Sequence, residues 1–237
     1  MKKSYLCKMT ILSVLLVSVL VIAGCGSGGG GSAVFAPVYA FSDNFDSYGI
    51  ADPWVPAGGW TSSQHWAIVA GFSGNGVEYM DTNAGFLTSS YTGTDYTVSV
   101  WVCPTAIVTG WEFGIFARDD GSGNRYSVVL NDDTTSHITT IGISKFYNNG
   151  VNNGKPVIET FINSDLSIST YYTLTLTVSG AVITVSATGG GNSHITTWTD
   201  PGTPTFGAII PSGKAGILVY TGPTYPVIYD NFAVTEP

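Results

Sequence analysis

The segment VIYDNFAV, residues 227–234, decides the fold, because its triplet Asp-Asn-Phe recurs where the folded part begins, in FSDNFD at residues 41–46. Side chains in a β-strand alternate between two faces. Asp230 and Phe232 are therefore expected on one face of the last strand, and Asp43 and Phe45 on one face of the first. A core-facing carboxylate needs backbone N–H groups, an arginine or a cation, since an unpaired buried charge is too costly. The pattern predicts two adjacent terminal strands that close one domain.

Residues 1–24 have the features of a secretory signal peptide. Lysines precede an apolar run from Ile11 to Ala23, and IAGC at residues 22–25 resembles a bacterial lipobox. The resemblance implies a lipid on Cys25, and Gly26 in the next position implies the outer membrane rather than the inner one. An ordinary signal peptide or an uncleaved anchor is the alternative. Residues 25–40 include a Gly/Ser-rich run that is expected to be a flexible tether, so that the domain spans 41–237 and meets the membrane only through the lipid.

The charge of the chain limits the classes of partner that it can bind, and its cysteine content limits the disulfides that it can form. All 16 acidic residues follow Cys25 and three of the 8 Lys and Arg residues precede it, so the formal charge after Cys25 is 5 minus 16, or −11. Nucleic acid is therefore an unfavourable partner, because no basic patch is present to neutralise phosphates. With Cys7 in the leader and Cys25 lipidated, Cys103 is left without a disulfide partner and is expected to be a small packed side chain.

The chain after the tether contains β-type segments separated by turn signals and no helical periodicity. The clearest predicted strands are Tyr96–Cys103, Trp111–Arg118, Arg125–Asn131, His137–Ser144, Tyr171–Ser179, Ala181–Thr188, Lys214–Tyr220 and Val227–Val234. In Tyr172–Ser179, bulky apolar residues alternate with Thr and Ser, which is typical of a strand with one buried and one wet face. The sequence predicts an all-β fold, a two-sheet antiparallel jelly-roll sandwich.

Several motifs carry a family resemblance along most of the chain. In order, these are the opening DNF, GIFAR at 114–118, RYSVVL at 125–130, YTLTLTVSG at 172–180, GKAGIL at 213–218 and the closing YDNF. Together they resemble a concanavalin A-like, laminin-G-like jelly roll. The resemblance implies two sheets of roughly six to seven strands with adjacent termini. Function stays open at this point, because lectins, glycanases and adhesion modules share this fold.

The resemblance also implies a structural calcium ion. In the glycanase branch of the superfamily this ion takes an aspartate from the last strand and carbonyl oxygens from the first strand and a turn. Asp230 occupies the matching position, and Asp43 or Asp46 with the turn near Gly71 would complete the site with hard oxygen ligands. The alternatives for Asp230 are an ion pair with Arg118 or hydrogen bonds from backbone N–H groups.

Aromatic and amide side chains are the candidate ligand contacts. Trp54 and Trp60 lie in a Pro- and Gly-containing stretch, residues 52–64, that is expected to be a loop, and Trp198 is expected to be exposed. Indole faces stack on sugar rings, while Asn149 and Asn152, in the predicted loop 147–155, would bond sugar hydroxyls. The alternatives are a core position for the tryptophans and a simple long turn for the asparagines.

These observations predict an exported, lipid-anchored binding module whose partner is a carbohydrate or a cell-surface protein. A structural or protein-interaction module of the cell envelope is the second hypothesis. The third is a glycoside hydrolase or lyase, for which Glu112 with Asp119 or Asp120 would supply the two carboxylates. No familiar catalytic motif is present, so the sequence favours a protein that is not an enzyme.

Overall fold

The computed structural model describes residues 38–62, 64–81, 83–106, 109–147, 151–221 and 227–237. The predicted leader, Cys25 and Asn149 lie outside these residues, and Asn152 is described only as strand backbone. Within the described ranges the chain forms strands and turns and contains no helix. No segment in that part of the chain is therefore a helix with the length and hydropathy needed to cross a membrane.

Sixteen strands are formed within the described residues. They are β1 (Tyr39–Asp43), β2 (Ala51–Trp54), β3 (Trp60–Thr61), β4 (Trp66–Ala70), β5 (Asn75–Tyr79), β6 (Gly85–Gly93), β7 (Tyr96–Pro104), β8 (Trp111–Asp119), β9 (Arg125–Asp133), β10 (Ile138–Tyr147), β11 (Val151–Ile162), β12 (Tyr172–Ser179), β13 (Val182–Gly189), β14 (Asn192–Thr199), β15 (Gly213–Thr221) and β16 (Val227–Thr235).

The strands form two antiparallel sheets. The nine-stranded sheet has the order β14-β13-β12-β7-β16-β5-β4-β2, with β1 also paired to β16, and the seven-stranded sheet has the order β11-β10-β9-β8-β15-β6-β3. The predicted all-β jelly-roll sandwich is confirmed, with sheets of nine and seven strands where the resemblance implied six to seven.

One apolar core lies between the sheets and takes alternate residues from each strand. Tyr172, Leu174, Leu176 and Val178 of β12 point into it, as their alternation predicts. The intervening threonines of β12 are only partly covered, so this strand has the buried and wet faces expected of an antiparallel sheet. Cys103 is fully buried, as expected for a packed thiol.

The terminal strands pair as predicted, but one expectation about β16 is wrong. Phe41 lies opposite Val234, and Asp43 lies opposite Phe232. Along β16 the register to β7 shifts between Asp230 and Ala233, and Asn231 at this bulge has a φ of 51°. Tyr229 before the bulge and Phe232 after it both belong to the core. The extra residue reverses the alternation, so Asp230 does not share the core-facing side of Phe232.

The predicted strands are present, with ends that move by one to three residues. His137, expected to begin a strand, instead has a φ of 54° in the turn before β10. The predicted hairpins at Gly180 and at residues 119–124 connect β12 to β13 and β8 to β9. Two expected loops are partly strands: residues 52–64 contain the end of β2 and all of β3, and residues 151–155 begin β11.

Buried polar contacts tie the sheets together at their open edge. Lys145, with no exposed surface, contacts Asp200 at 2.5 Å, and the hydroxyl of Tyr126 donates to the same carboxylate at 2.5 Å. Farther along the edge, Glu159 of β11 contacts His194 of β14 at 2.6 Å. The contacts of Asp200 hold the segment that follows β14. None of the sixteen described strands covers the outer face of the seven-stranded sheet.

Candidate functional site

The outer face of the seven-stranded sheet carries a groove of about 460 Å³, which we call the outer groove. Its volume lies within the range of small-molecule sites, roughly 300–1,000 Å³. It is lined by Thr61, Ser62, Gln64, Phe86, Thr88, Asp119, Gly121, Gly123 and Arg125. The lining thus combines an aromatic ring, hydroxyl and amide groups and one charge of each sign.

Aromatic rings continue from the groove across this face. The rings of Phe86 and Phe116 are 6.2 Å apart, those of Phe86 and Tyr220 are 5.9 Å apart, and those of Tyr220 and Phe146 are 5.1 Å apart. The close approach of strands beneath them depends on glycine: a Cβ at Gly216 would lie 2.4 Å from the Phe116 ring. The result is a second apolar cluster outside the main core, which also includes Val129 and Leu218.

Arg125 is the charged centre of this cluster. Its guanidinium carbon lies 4.1 Å from the ring centroid of Phe86, 5.0 Å from that of Phe146 and 5.9 Å from that of Phe116. Only 9% of the residue is exposed, and its buried Nε–H has no hydrogen-bond acceptor. The nearest charge is the Asp119 carboxylate at 3.9 Å, which is too far for a hydrogen bond.

Hydroxyl groups lie beside Arg125. The phenol oxygen of Tyr220 is 3.3 Å from Ser127 Oγ, and the buried Oγ of Ser144, on the next strand, has no partner. Burial raises the pKa of Tyr220, although the Arg125 charge and the Ser127 hydroxyl oppose this effect. The phenol therefore stays protonated at neutral pH and can donate or accept a hydrogen bond.

The two carboxylates of the hydrolase hypothesis are not brought together. Glu112 is held by Lys155 and by Asn131 Nδ2 at 2.9 Å, at one end of β8, and Asp119 lies at the other end. Seven residues of strand separate them by roughly 20 Å, whereas paired glycosidase carboxylates stand about 5–10 Å apart. Asp120 instead accepts backbone N–H groups of its own turn, from Ser122 at 2.8 Å and Asn124 at 3.2 Å. The proposed pairing of Glu112 with either aspartate is wrong.

The structure decides between the two interpretations of Trp54 and Trp60, as ligand contacts or as core residues. Trp54 is 7% exposed and Trp60 is 3% exposed, and both belong to the core. The Trp60 ring packs 4.8 Å from Phe232 of β16, and its Nε1–H donates to Asp43 at 2.8 Å. Neither indole offers a free face to a sugar, so the core alternative holds for both.

Trp198 lies on edge strand β14 and is half-buried. Its ring is 5.5 Å from that of Phe206 and 6.4 Å from that of Tyr126, on the inner side of the sheet. The expected exposure of Trp198 is therefore only partial, and the residue is remote from the outer groove.

The three predicted calcium ligands separate into two groups. Asp43 accepts hydrogen bonds from Phe45 N–H, Tyr48 and Trp60, at 2.7–2.8 Å. Asp46 and Asp230 instead approach the turn between β4 and β5. Asp230 accepts the N–H groups of Phe72 at 2.8 Å and Asn231 at 2.7 Å, and Asp46 accepts that of Asn75 at 2.7 Å.

The predicted alternatives for Asp230 can be compared with these contacts. Its hydrogen bonds come from backbone N–H groups, while Arg118 pairs with Asp95 at 2.9 Å, so the suggested ion pair with Arg118 is wrong. Burial raises the pKa of Asp230, and the charge of Asp46 adds to this rise, against the hydrogen bonds from Phe72 and Asn231. Among the described residues, no cluster of three or more acidic, His or Cys side chains is arranged to hold a metal.

A second hollow, of about 740 Å³, lies beside β1 and β16 and includes Asp43, Tyr48 and Trp101 in its wall. Its carboxylate is already hydrogen-bonded by Tyr48 and Trp60. The outer groove differs because Arg125, in its wall, has a polar atom still without a partner.

Sequence reasoning missed the residues of the outer groove and of the aromatic cluster beside it. The alternation of β9 carries the signal: Tyr126, Val128 and Leu130 face the core, which places Arg125 and Ser127 on the opposite face. The isolated aromatic residues Phe86, Phe146 and Tyr220 come from three strands that only the sheet order brings together.

No protein-family model matches this chain, and no curated protein matches its sequence. Solved structures are similar in fold. The carbohydrate-binding module CBM66 from Bacillus subtilis has a TM-score of 0.51 at 15% identity, over 75% of this chain and 96% of that one. The GH43B protein of the Bacteroides ovatus xyloglucan PUL has a TM-score of 0.58 at 15% identity, over 87% of this chain and 41% of that one.

The GH43 protein BlXynB from Bacillus licheniformis has a TM-score of 0.55 at 12% identity, over 83% of this chain and 39% of that one. This chain thus spans about two fifths of the two GH43 proteins. The likenesses agree with the strand order in defining a two-sheet antiparallel jelly-roll sandwich. At these identities they establish the fold, and the site must be argued from its own residues.

Proposed function

We propose that this protein binds carbohydrate in the outer groove and on the adjoining rings of Tyr220 and Phe146, and acts as a binding module without catalytic activity. The observation that carries the proposal is the composition of the groove, where aromatic rings adjoin polar groups with unused hydrogen-bonding atoms. Sugar rings have apolar C–H faces that pack on aromatic rings and hydroxyl groups that need donors and acceptors. The similar fold of a carbohydrate-binding module supports the same ligand class.

The cell envelope is the proposed location. The lipobox-like IAGC segment and the tether suit a protein held at the outer membrane by a lipid on Cys25. A module on such a tether would present its groove to glycans or proteins near the cell surface.

A structural calcium ion is proposed between the turn of residues 71–75 and the carboxylates of Asp46 and Asp230. Support comes from the buried Asp230, whose pKa is raised by burial and by the neighbouring Asp46 charge. A cation would offset this repulsion, and backbone carbonyls would complete its oxygen ligands. Asp43, already hydrogen-bonded to Trp60, is not included in this proposal.

Binding is tested by a glycan-array screen of the purified protein, followed by titration calorimetry with the Phe146→Ala variant. Loss of the Phe146 ring should weaken glycan binding about tenfold, since stacking on one aromatic ring contributes roughly 1–2 kcal/mol. The matched control is Phe72→Ala, which removes an exposed ring near β5, on the other sheet, and should leave affinity unchanged.

A protein that binds no glycan on the array would contradict the proposal and favour the protein-interaction alternative. Equal losses in the Phe146 and Phe72 variants would show that binding does not occur in the outer groove. Release of reducing ends from a bound glycan would contradict the absence of catalysis.

A further inference from the structure

Among the described residues three cations are buried, and their hydrogen-bonding groups differ in how completely they are paired. Arg118, 1% exposed, donates to the carbonyls of Thr94, Gly180 and Ile210 at 2.6–2.9 Å and to Asp95 at 2.9 Å. Lys145, with no exposed surface, donates to Asp200 at 2.5 Å and to the carbonyls of Gly207 and Ala208 at 3.2 and 2.9 Å. Both cations are therefore structural, because their hydrogen-bonding groups are used within the fold.

Arg125 has no such set of partners. Its polar neighbours are the phenol of Tyr220 and the Asp119 carboxylate at 3.9 Å, and phenyl rings cover its faces. A guanidinium carries five N–H donors in one plane, so rings that cover the faces leave the edge for an acceptor. The buried Nε–H of Arg125 has no acceptor, and a buried donor without an acceptor is costly to the folded protein unless another group binds it.

We infer that Arg125 receives the carboxylate of an acidic sugar, such as a uronic or sialic acid. This inference rests on the proposed carbohydrate-binding function and names its ligand class. A planar carboxylate matches the edge of a guanidinium through two parallel hydrogen bonds.

Asp119 decides which anion fits. Its carboxylate lies on the wall of the groove, 3.9 Å from Arg125, and repels a doubly charged phosphate more strongly than a singly charged carboxylate. The same carboxylate, with Gln64 and Thr88, lines the space where the hydroxyl groups of the sugar ring would lie. Arg125 therefore binds the acid group, and the remaining lining binds the ring.

The experiment compares acidic glycans with their carboxyl-reduced counterparts, which differ only at the acid group. Oligogalacturonate, oligoalginate and sialyllactose are each titrated into the purified protein, in native and reduced form, at low and high salt. At least one acidic glycan should bind at least tenfold more tightly than its reduced form, and added salt should diminish this preference. Arg125→Gln should abolish the preference, and Arg125→Lys should retain only part of it.

The matched control is Lys214→Gln, which removes one positive charge from an exposed position on β15, separated from β9 by β8, and should keep the preference. Melting curves check that each variant is folded; Arg125→Gln should be folded, because the amide keeps a polar group beside Tyr220 and removes a buried Nε–H that has no acceptor. Equal affinity for native and reduced glycans, or an unchanged preference in Arg125→Gln, would overturn the inference while leaving the proposed function standing. Binding to no acidic or neutral glycan would overturn both.

Discussion

Asp230 shows how a single residue can have the predicted location and a different environment. Its approach to the turn near Gly71 was expected, but the face it occupies was not, because Asn231 inserts an extra residue into β16. The pKa of Asp230 is higher in the folded protein than in the unfolded chain, so protonation of this carboxyl group stabilises the fold. This stabilisation is complete below the ordinary pKa of an aspartate and is lost as the pH rises through the raised pKa. A cation bound beside the ionised carboxylate would offset this loss.

Calcium is accordingly expected to stabilise the protein at pH 7 and to have little effect at pH 3, where Asp230 is protonated. One kcal/mol of stabilisation corresponds to a rise in melting temperature of about 2–4 °C for a domain of this size. Calorimetric melting with calcium or with a chelator measures the shift, which Asp230→Asn should remove. Asp133→Asn, a change at the distant end of β9, should preserve it, and a calcium shift that survives in Asp230→Asn would contradict the site.

Trp54 and Trp60 also show, at the scale of single residues, what a local sequence pattern cannot predict. Trp54 and Trp60 stand in a segment whose Pro and Gly residues indicate a loop, yet their rings pack against Phe45 and Phe232. Phe232 is about 170 positions away in the chain, so no local pattern could place it there. The ability of indole rings to stack on sugars predicted a ligand-binding role for these tryptophans, and their burial excludes that role.

The strand elements were predictable where alternation is long and regular, as in β12. The short strands β2, β3 and β5 were not, because two to five residues carry too little periodicity and depend on pairing with distant partners. The bulge in β16 was not predictable from the sequence either. Asparagine tolerates a left-handed backbone, but its presence in a strand does not by itself reveal one.

The bulge provides a test of the topology. Asn231→Val places a β-branched side chain at a φ of 51° and should lower the free energy of unfolding by about 1–2 kcal/mol, whereas Asn231→Gly should be nearly neutral. Ala233→Val adds a similar side chain two residues later and should cost less than Asn231→Val. Urea denaturation measures all three variants, and equal stability of the two valine variants would argue against the bulge.

At the scale of the whole molecule, architecture was predictable and the ligand site was not. Fold class depends on the summed pattern of many strands. The outer groove and the aromatic cluster beside it depend instead on Phe86, Arg125, Phe146 and Tyr220, which four different strands contribute. The sheet order β10-β9-β8-β15-β6 brings them onto one face, and the sequence alone does not specify that order.

Membrane attachment is a prediction for the complete chain. Cells grown with a labelled fatty acid should incorporate the label into this protein, and Cys25→Ser should abolish incorporation and move the protein out of the membrane fraction. Cys103→Ser is the matched control and should remain labelled, because that thiol is buried in the domain. An unlabelled wild-type protein would favour the ordinary signal peptide.

The pairing of β1 with β16 has a mechanical consequence. The chain enters the domain at Tyr39, which lies opposite Thr235, and runs antiparallel along β16 to Asp43. A pull on the preceding residues along the strand axis loads the hydrogen bonds of this pair in shear, so that they resist together instead of opening one by one. Forced unfolding is governed by the unfolding rate, so a cell held by this domain under flow would depend on how slowly β1 slides from β16.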